Sequence, residues 1–131
     1  GHTLLLMDAA GSYHREIERN MPTGTLYTTP MMRLQDPDYT KILLVTLPET
    51  TPVLEASILE DDLKRAGIQP WAWVINQSLA AAATTSPLLR HRAGQEQGPL
   101  DAVRARARRL AIVPLLQEEP TGPKRLAMLA S

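Results

Sequence analysis

Between residues 41 and 131 the sequence alternates apolar runs with helix-forming stretches three times in succession. Lys41-Ile-Leu-Leu-Val-Thr-Leu47 is closed by Pro48, Trp71-Ala-Trp-Val-Ile75 ends at Asn76-Gln77-Ser78, and Leu110-Ala-Ile-Val113 stops at Pro114. Runs this short and this apolar predict strands buried on both faces of a parallel sheet. Helix signals fill the gaps. Thr51 is placed to cap a helix whose first position is Pro52 and whose end is Gly67. Its predicted inner face is Ala56, Leu59, Leu63 and Ala66, with Glu55, Glu60, Asp61 and Asp62 on a solvated surface. Ser86-Pro87 opens a second helical region, interrupted at Gly98-Pro99 and running on toward Arg109. Thr121-Gly122-Pro123 opens a last helix with Leu126 and Leu129 facing inward. The order β-α-β-α-β-α defines an α/β chain with right-handed crossovers. Three strands are few for a doubly wound sheet. The expectation is therefore a partial sheet, with its remaining strands upstream of Gly1.

The first 40 residues read differently. Leu4 to Gly11 and Ser12 to Met21 predict helices, and Thr29-Pro30 with Met31, Met32 and Leu34 predicts a short helix before Asp36-Pro37. The start, Gly1-His2-Thr3, lacks a Met and reads as a chain cut from something longer.

Composition removes several function classes. The 131 residues hold 14 Lys+Arg against 14 Asp+Glu, so bulk charge does not drive binding to nucleic acid or a membrane surface. Hydrophobic residues at 44% suffice for a core, and no apolar run approaches the roughly 20 residues of a membrane span. With no Cys, disulfides, thiolate metal sites and Cys nucleophiles are excluded within these residues. His2, His14 and His91 do not show the i, i+4 spacing of a helical metal pair. No G-x-S-x-G elbow supports a hydrolase triad. No G-x-x-x-x-G-K-[ST] or G-x-G-x-x-G loop is present to cradle phosphate. Six Arg against Glu96 and Asp101 between positions 90 and 109 give a net +4, with Arg104 and Arg108 four apart. No aromatics interleave with them, so they read as a solvated face or a face against further protein, not a stacking surface for RNA.

Parallel sheets bind ligands beyond the carboxyl ends of their strands. Those ends carry Glu49, Asn76 and Pro114. An Asn there offers a planar donor and acceptor matching the edge of a purine, or it ties the loop together. Pro114 offers an apolar edge, or acts only as a breaker.

Longer strings add a resemblance. Gly1-His2-Thr3-Leu4-Leu5-Leu6 resembles the tail of the D-T-A-P-T-G-H-T signature of ArsA-type ATPases, the arsenical pump-driving family. Asp8-Ala-Ala-Gly-Ser-Tyr-His-Arg-Glu16 and Thr28-Thr-Pro-Met-Met-Arg-Leu-Gln-Asp-Pro37 are similar to the segments that follow it. Leu43-Leu-Val-Thr-Leu-Pro-Glu-Thr-Thr-Pro-Val-Leu-Glu-Ala56, Trp73-Val-Ile-Asn-Gln-Ser-Leu79, Ser86-Pro-Leu-Leu-Arg90 and Glu118-Glu-Pro-Thr-Gly122 continue the likeness. It covers nearly the whole chain and is weakest from His91 to Arg109.

The resemblance implies the C-terminal part of one nucleotide-binding half of a P-loop ATPase, the second of two tandem halves fitting best. It divides the chain into switch-side helices (1–40) and three βα units (41–131). It implies Asn76 as the adenine-reading residue, Pro114 as the loop packing on the base, Glu49 in the same crevice, and His2 in the switch that couples to the metalloid. It implies ATP as ligand, with the phosphate loop and Mg²⁺ ligands upstream, and so no catalytic residue in this stretch. The parent would be cytoplasmic, would respond to arsenite or antimonite, and would work at the inner membrane through an integral membrane pump. Trivalent arsenic prefers thiolates, which are absent here. Two other readings stay open: an ATPase of the same fold that targets tail-anchored proteins, and a non-catalytic adapter or oligomerisation module. A sheet with missing strands also leaves edges through which the fragment could form homo-oligomers.

Overall fold

The computed structural model describes residues 28–130. The helices expected before residue 28, and His2 and His14, lie outside the described residues. The chain divides into two compact units, which among the described residues are 28–42 with 57–71 and 43–56 with 72–130.

In the first unit, helix α1 spans Pro30–Gln35. Its cap is reciprocal. The Met32 backbone N–H donates to Thr29 Oγ1 at 3.2 Å, and the Thr29 N–H points back to Met32 Sδ at 3.5 Å. A thioether thus stands where Glu or Gln closes the usual capping box. Pro30 sits in the first turn, where a missing N–H costs nothing. The helix ends at Asp36, whose Oδ1 accepts from the Asp38 N–H at 2.9 Å and turns the chain through Pro37.

Helix α2, Thr50–Arg65, begins in the second unit and ends in the first. It starts earlier than its Thr51 cap signal, because the first helical bond runs from Val53 N–H to the Glu49 carbonyl at 3.1 Å. Its end follows expectation. Gly67 has φ +75°, the Ile68 N–H reaches the Leu63 carbonyl at 2.9 Å, and the Gly67 N–H reaches that of Lys64 at 3.0 Å. That pair of bonds is a Schellman motif, which needs a left-handed residue at Gly67. The Gln35 amide donates to the Ala66 carbonyl at 2.7 Å, so α1 helps satisfy the same helix end. The buried positions of α2 are Val53, Ala56, Glu60 and Leu63. Glu60 therefore departs from its expected solvated place. Its carboxylate is buried yet pairs with Lys64 Nζ at 3.2 Å, one turn on, and Lys64 carries the charge out to solvent.

The second unit holds the sheet. Strands β1 (Leu43–Thr46), β2 (Ala72–Ser78) and β3 (Leu110–Pro114) pair in parallel in the order β1-β2-β3. Leu44 lies opposite Trp73, which lies opposite Leu110; Thr46 lies opposite Ile75, which lies opposite Ile112. Leu44, Thr46, Trp73 and Ile75 are buried on one face. The other face is open at β1, where Leu43 is 49% and Val45 62% exposed. This corrects the expectation of burial on both faces. A strand order that advances one way, with right-handed crossovers, sends both connections over the same face.

The second crossover contains helices α3 (Pro87–Gln95) and α4 (Gln97–Arg106). The break falls at Glu96, ahead of the Gly98-Pro99 signal. Proline's ring collides with the carbonyl four residues earlier, and four residues before Pro99 is Gln95, the last residue of α3. Leu100 and Val103 bury the inner side of α4. The helix ends at Arg106 with Ala107 extended, so Arg108 does not share a helical face with Arg104. Helix α5 (Gly122–Ala127) runs into a 3₁₀ turn at Met128–Ala130. Leu126 and Leu129 do not face inward as expected; they are 51% and 39% exposed. Fewer than two helical turns present no continuous apolar stripe, and the segment is tied instead by a surface ion pair between Arg125 and Glu118 at 3.1 Å.

The Schellman end gives a test. A Cβ at Gly67 would stand 3.2 Å from the Gln35 amide nitrogen in a backbone conformation that L side chains avoid. Gly67→Ala should lower the unfolding free energy by about 1–2 kcal/mol, measured by urea denaturation.

Candidate functional site

The ligand-facing edge of a parallel sheet is its carboxyl edge. Here β2 continues past Ile75 through Asn76 and Gln77 to Ser78, farther than its apolar run indicates. It does so through an irregularity in its pairing with β3 between Ile75 and Ser78. Gln77 adopts φ +59°, a left-handed conformation in a non-glycine residue. Beyond this point Ser78 lies opposite Pro114. In a parallel ladder the donor beside this pair is the following residue, and Leu115 N–H donates to the Ser78 carbonyl at 2.9 Å, so the missing N–H of Pro114 is not called on. Pro114 thereby lies inside β3, at the edge of the three described strands, where a proline is tolerated.

The loop after β2 is held by Glu96, the residue at the α3–α4 junction. Ser78 Oγ donates to Glu96 Oε2 at 2.7 Å, Leu79 N–H to Oε1 at 2.8 Å, and Ala80 N–H to Oε2 at 3.1 Å. The Ser78 hydroxyl also accepts from the Ala81 N–H at 3.1 Å. Three successive backbone donors and one hydroxyl are satisfied by one carboxylate and one serine. Ser78 is fully buried and Glu96 is 6% exposed. Sequence reasoning places Glu96 among the surface charges of the arginine-rich stretch and overlooks Ser78. The available signal was a carboxylate at a proline-enforced helix break, next to a turn of short side chains.

The predicted site residues fall into two groups. Asn76, half-buried, and Pro114, also half-buried, occupy adjoining strand ends on β2 and β3. None of the side-chain bonds that fasten this loop comes from the Asn76 amide. Glu49, exposed at the start of α2, lines a crevice of about 490 Å³ with Gln77, Arg92, Glu96, Pro99 and Leu115. Asn76 and Pro114 are not part of that lining. Among the described residues no three His, Cys, Asp or Glu side chains converge on a point that could hold a metal ion.

The left-handed residue beside Asn76 is testable. Gln77→Gly should leave stability unchanged or raise it by up to about 1 kcal/mol, whereas Gln77→Val should lower it by about 1–2 kcal/mol. Thermal unfolding of the two variants reads the difference in sign.

Comparison with known proteins bears on what this edge serves. The family model described as anion-transporting ATPase matches residues 2–131. A protein of Escherichia coli named arsenical pump-driving ATPase is 61% identical over 131 residues, covering 99% of this chain and 22% of its own length. One of the same name from Acidiphilium multivorum is 60% identical over 132 residues, covering 100% of this chain and 23% of its own. A further Escherichia coli protein of that name is 58% identical over 130 residues. The chain spans less than a quarter of the length of these relatives. With a parallel α/β sheet and a family match from end to end, the chain belongs to the anion-transporting ATPase family.

Proposed function

We propose that this segment forms the base-binding side of the nucleotide site in an ATPase stimulated by arsenite or antimonite. The observation that carries the reading is the placement of Asn76. It stands near the carboxyl end of β2, two residues before Ser78, which lies opposite Pro114, and the loop that follows is fastened by Ser78 and Glu96. A loop secured by other groups does not need its Asn as a tie. That favours the recognition role over the loop-tying one.

The side chains suit a purine. The Asn76 carbonyl can accept from the exocyclic amine of adenine, and its NH₂ can donate to a neighbouring ring nitrogen. Pro114 supplies an apolar surface for the ring. Glu49 is assigned to the same nucleotide from the adjoining crevice. The sequence has no phosphate-cradling loop. The phosphates and their metal are therefore assigned to other parts of the whole protein, which supply the charge neutralisation that phosphoryl transfer requires. This segment alone would not hydrolyse ATP.

In the whole protein, residues 1–40 are assigned to the switch side and 41–131 to the three βα units. His2 is assigned to the coupling between metalloid and nucleotide. Hydrolysis would drive metalloid efflux through an integral membrane pump, from the cytoplasmic face of the inner membrane. No helix among the described residues is long and apolar enough to cross a membrane.

Base reading is tested in the whole protein by competition binding of ATP and GTP. Asn76→Ala should weaken ATP about tenfold, equivalent to about 1.4 kcal/mol, and reduce the preference over GTP. Asn76→Asp should go further toward GTP, since a carboxylate accepts from the two donors of guanine and offers none to adenine. An unchanged affinity and preference in both variants would refute the reading.

A further inference from the structure

We propose that Glu96 is a positioning residue for base recognition: it sets the conformation of the β2–α3 loop and through it the aim of Asn76. This deepens the assignment of Asn76 to adenine and rests on it. The geometry is specific. Glu96 is reached across 18 residues of chain by Ser78, and its two oxygens receive the hydroxyl of Ser78 and the N–H groups of Leu79 and Ala80. Ser78 is the last residue of β2, two beyond Asn76. Between them lies Gln77, held at φ +59°. A left-handed non-glycine residue persists only where its surroundings over-determine it. The restraints on its C-terminal side are the three bonds to Glu96 and the Leu115 N–H to Ser78 carbonyl bond.

Backbone accounting supports the same role. The Leu79, Ala80 and Ala81 N–H groups follow the end of the strand and have no place in the ladder. They are partly buried, and donors shielded from water need acceptors. A carboxylate, which only accepts, suits the three donors aimed at it, the Ser78 hydroxyl and the Leu79 and Ala80 N–H groups. An amide of the same shape would turn an NH₂ group toward one of them. With the carboxylate removed, these donors seek water, the loop opens, and the restraint on Gln77 and Asn76 is relaxed. The helix break caused by Pro99 is then functional as well as steric. It places Glu96 between α3 and α4, where its side chain turns back to the strand end.

Glu96 is assigned no contact with the phosphates, so its loss should act on nucleotide affinity and base choice. The test uses the whole protein and compares Glu96→Ala, Glu96→Gln, Ser78→Ala and Asn76→Ala, each measured for ATP turnover and for ATP against GTP affinity. Glu96→Ala should raise KM for ATP about tenfold with kcat changed less than threefold, and should reduce the ATP preference as Asn76→Ala does. Glu96→Gln, which keeps one acceptor, should fall between it and the parent. Ser78→Ala, which leaves both backbone bonds to Glu96, should show a smaller change in the same direction. Adding Glu96→Ala to Asn76→Ala should cost little more than Asn76→Ala alone, because both act on one recognition step.

A purely structural Glu96 would lower the melting temperature while leaving KM and base preference untouched, and that result overturns the inference. If Glu96→Ala does not fold, Glu96→Gln and Ser78→Ala decide by the same criterion. If Asn76→Ala shifts base preference and none of the Glu96 and Ser78 variants does, the inference fails and the adenine reading stands. If Asn76→Ala itself has no effect, the adenine reading fails first and the positioning role falls with it.

Discussion

The pairing of β2 with β1 on one side and β3 on the other dictates where the rest of the second unit can lie. Parallel strands cannot be joined by tight turns, so each connection must cross the sheet. Strands that advance one way with right-handed crossovers favour one face, and the other is open at β1. The burial of Leu44, Trp73 and Ile75 against the exposure of Leu43 and Val45 follows from topology, since the residues on the two faces are equally apolar. The same pairing brings the carboxyl ends of β2 and β3 together, with Ser78 opposite Pro114 and Asn76 two residues before Ser78.

The strand ends then pose a second problem, the disposal of backbone donors once the ladder stops. Glu96 and Ser78 solve it with side chains rather than with more secondary structure. A buried carboxylate that lost these partners would be costly, as would donors that lost the carboxylate. Each side thus locks the other, and none of these bonds comes from the Asn76 amide. Glu60 and Lys64 show a milder version of the same logic on α2, with one charge inside and its partner at the surface.

Much of this was legible from local signals. The three apolar runs became three strands, Gly67 stopped α2, and Thr29-Pro30 opened α1, because each signal acts through its nearest neighbours in sequence. The family strings added what local signals lacked, and the match over residues 2–131 agrees with them. Features set by distant partners were not legible. Glu60 and Glu96 look like surface acids until the residues around them are known. The bare face of β1 depends on strand order, which no run of residues encodes. The exposure of Leu126 and Leu129 reflects a helix too short to form a stripe. The candidate residues Asn76, Pro114 and Glu49 come from strand ends and likeness, while the bonds that join Ser78, Leu79 and Ala80 to Glu96 depend on residues distant in sequence.

The central claim is that the joined ends of β2 and β3 hold the base of the nucleotide. Photolabelling of the whole protein with 8-azido-ATP, followed by peptide mapping, tests it most directly. The account predicts label in the segments carrying residues 76–79 or 113–117, suppressed by excess ATP. A complete absence of ATP-protected label between residues 72 and 117 would contradict it.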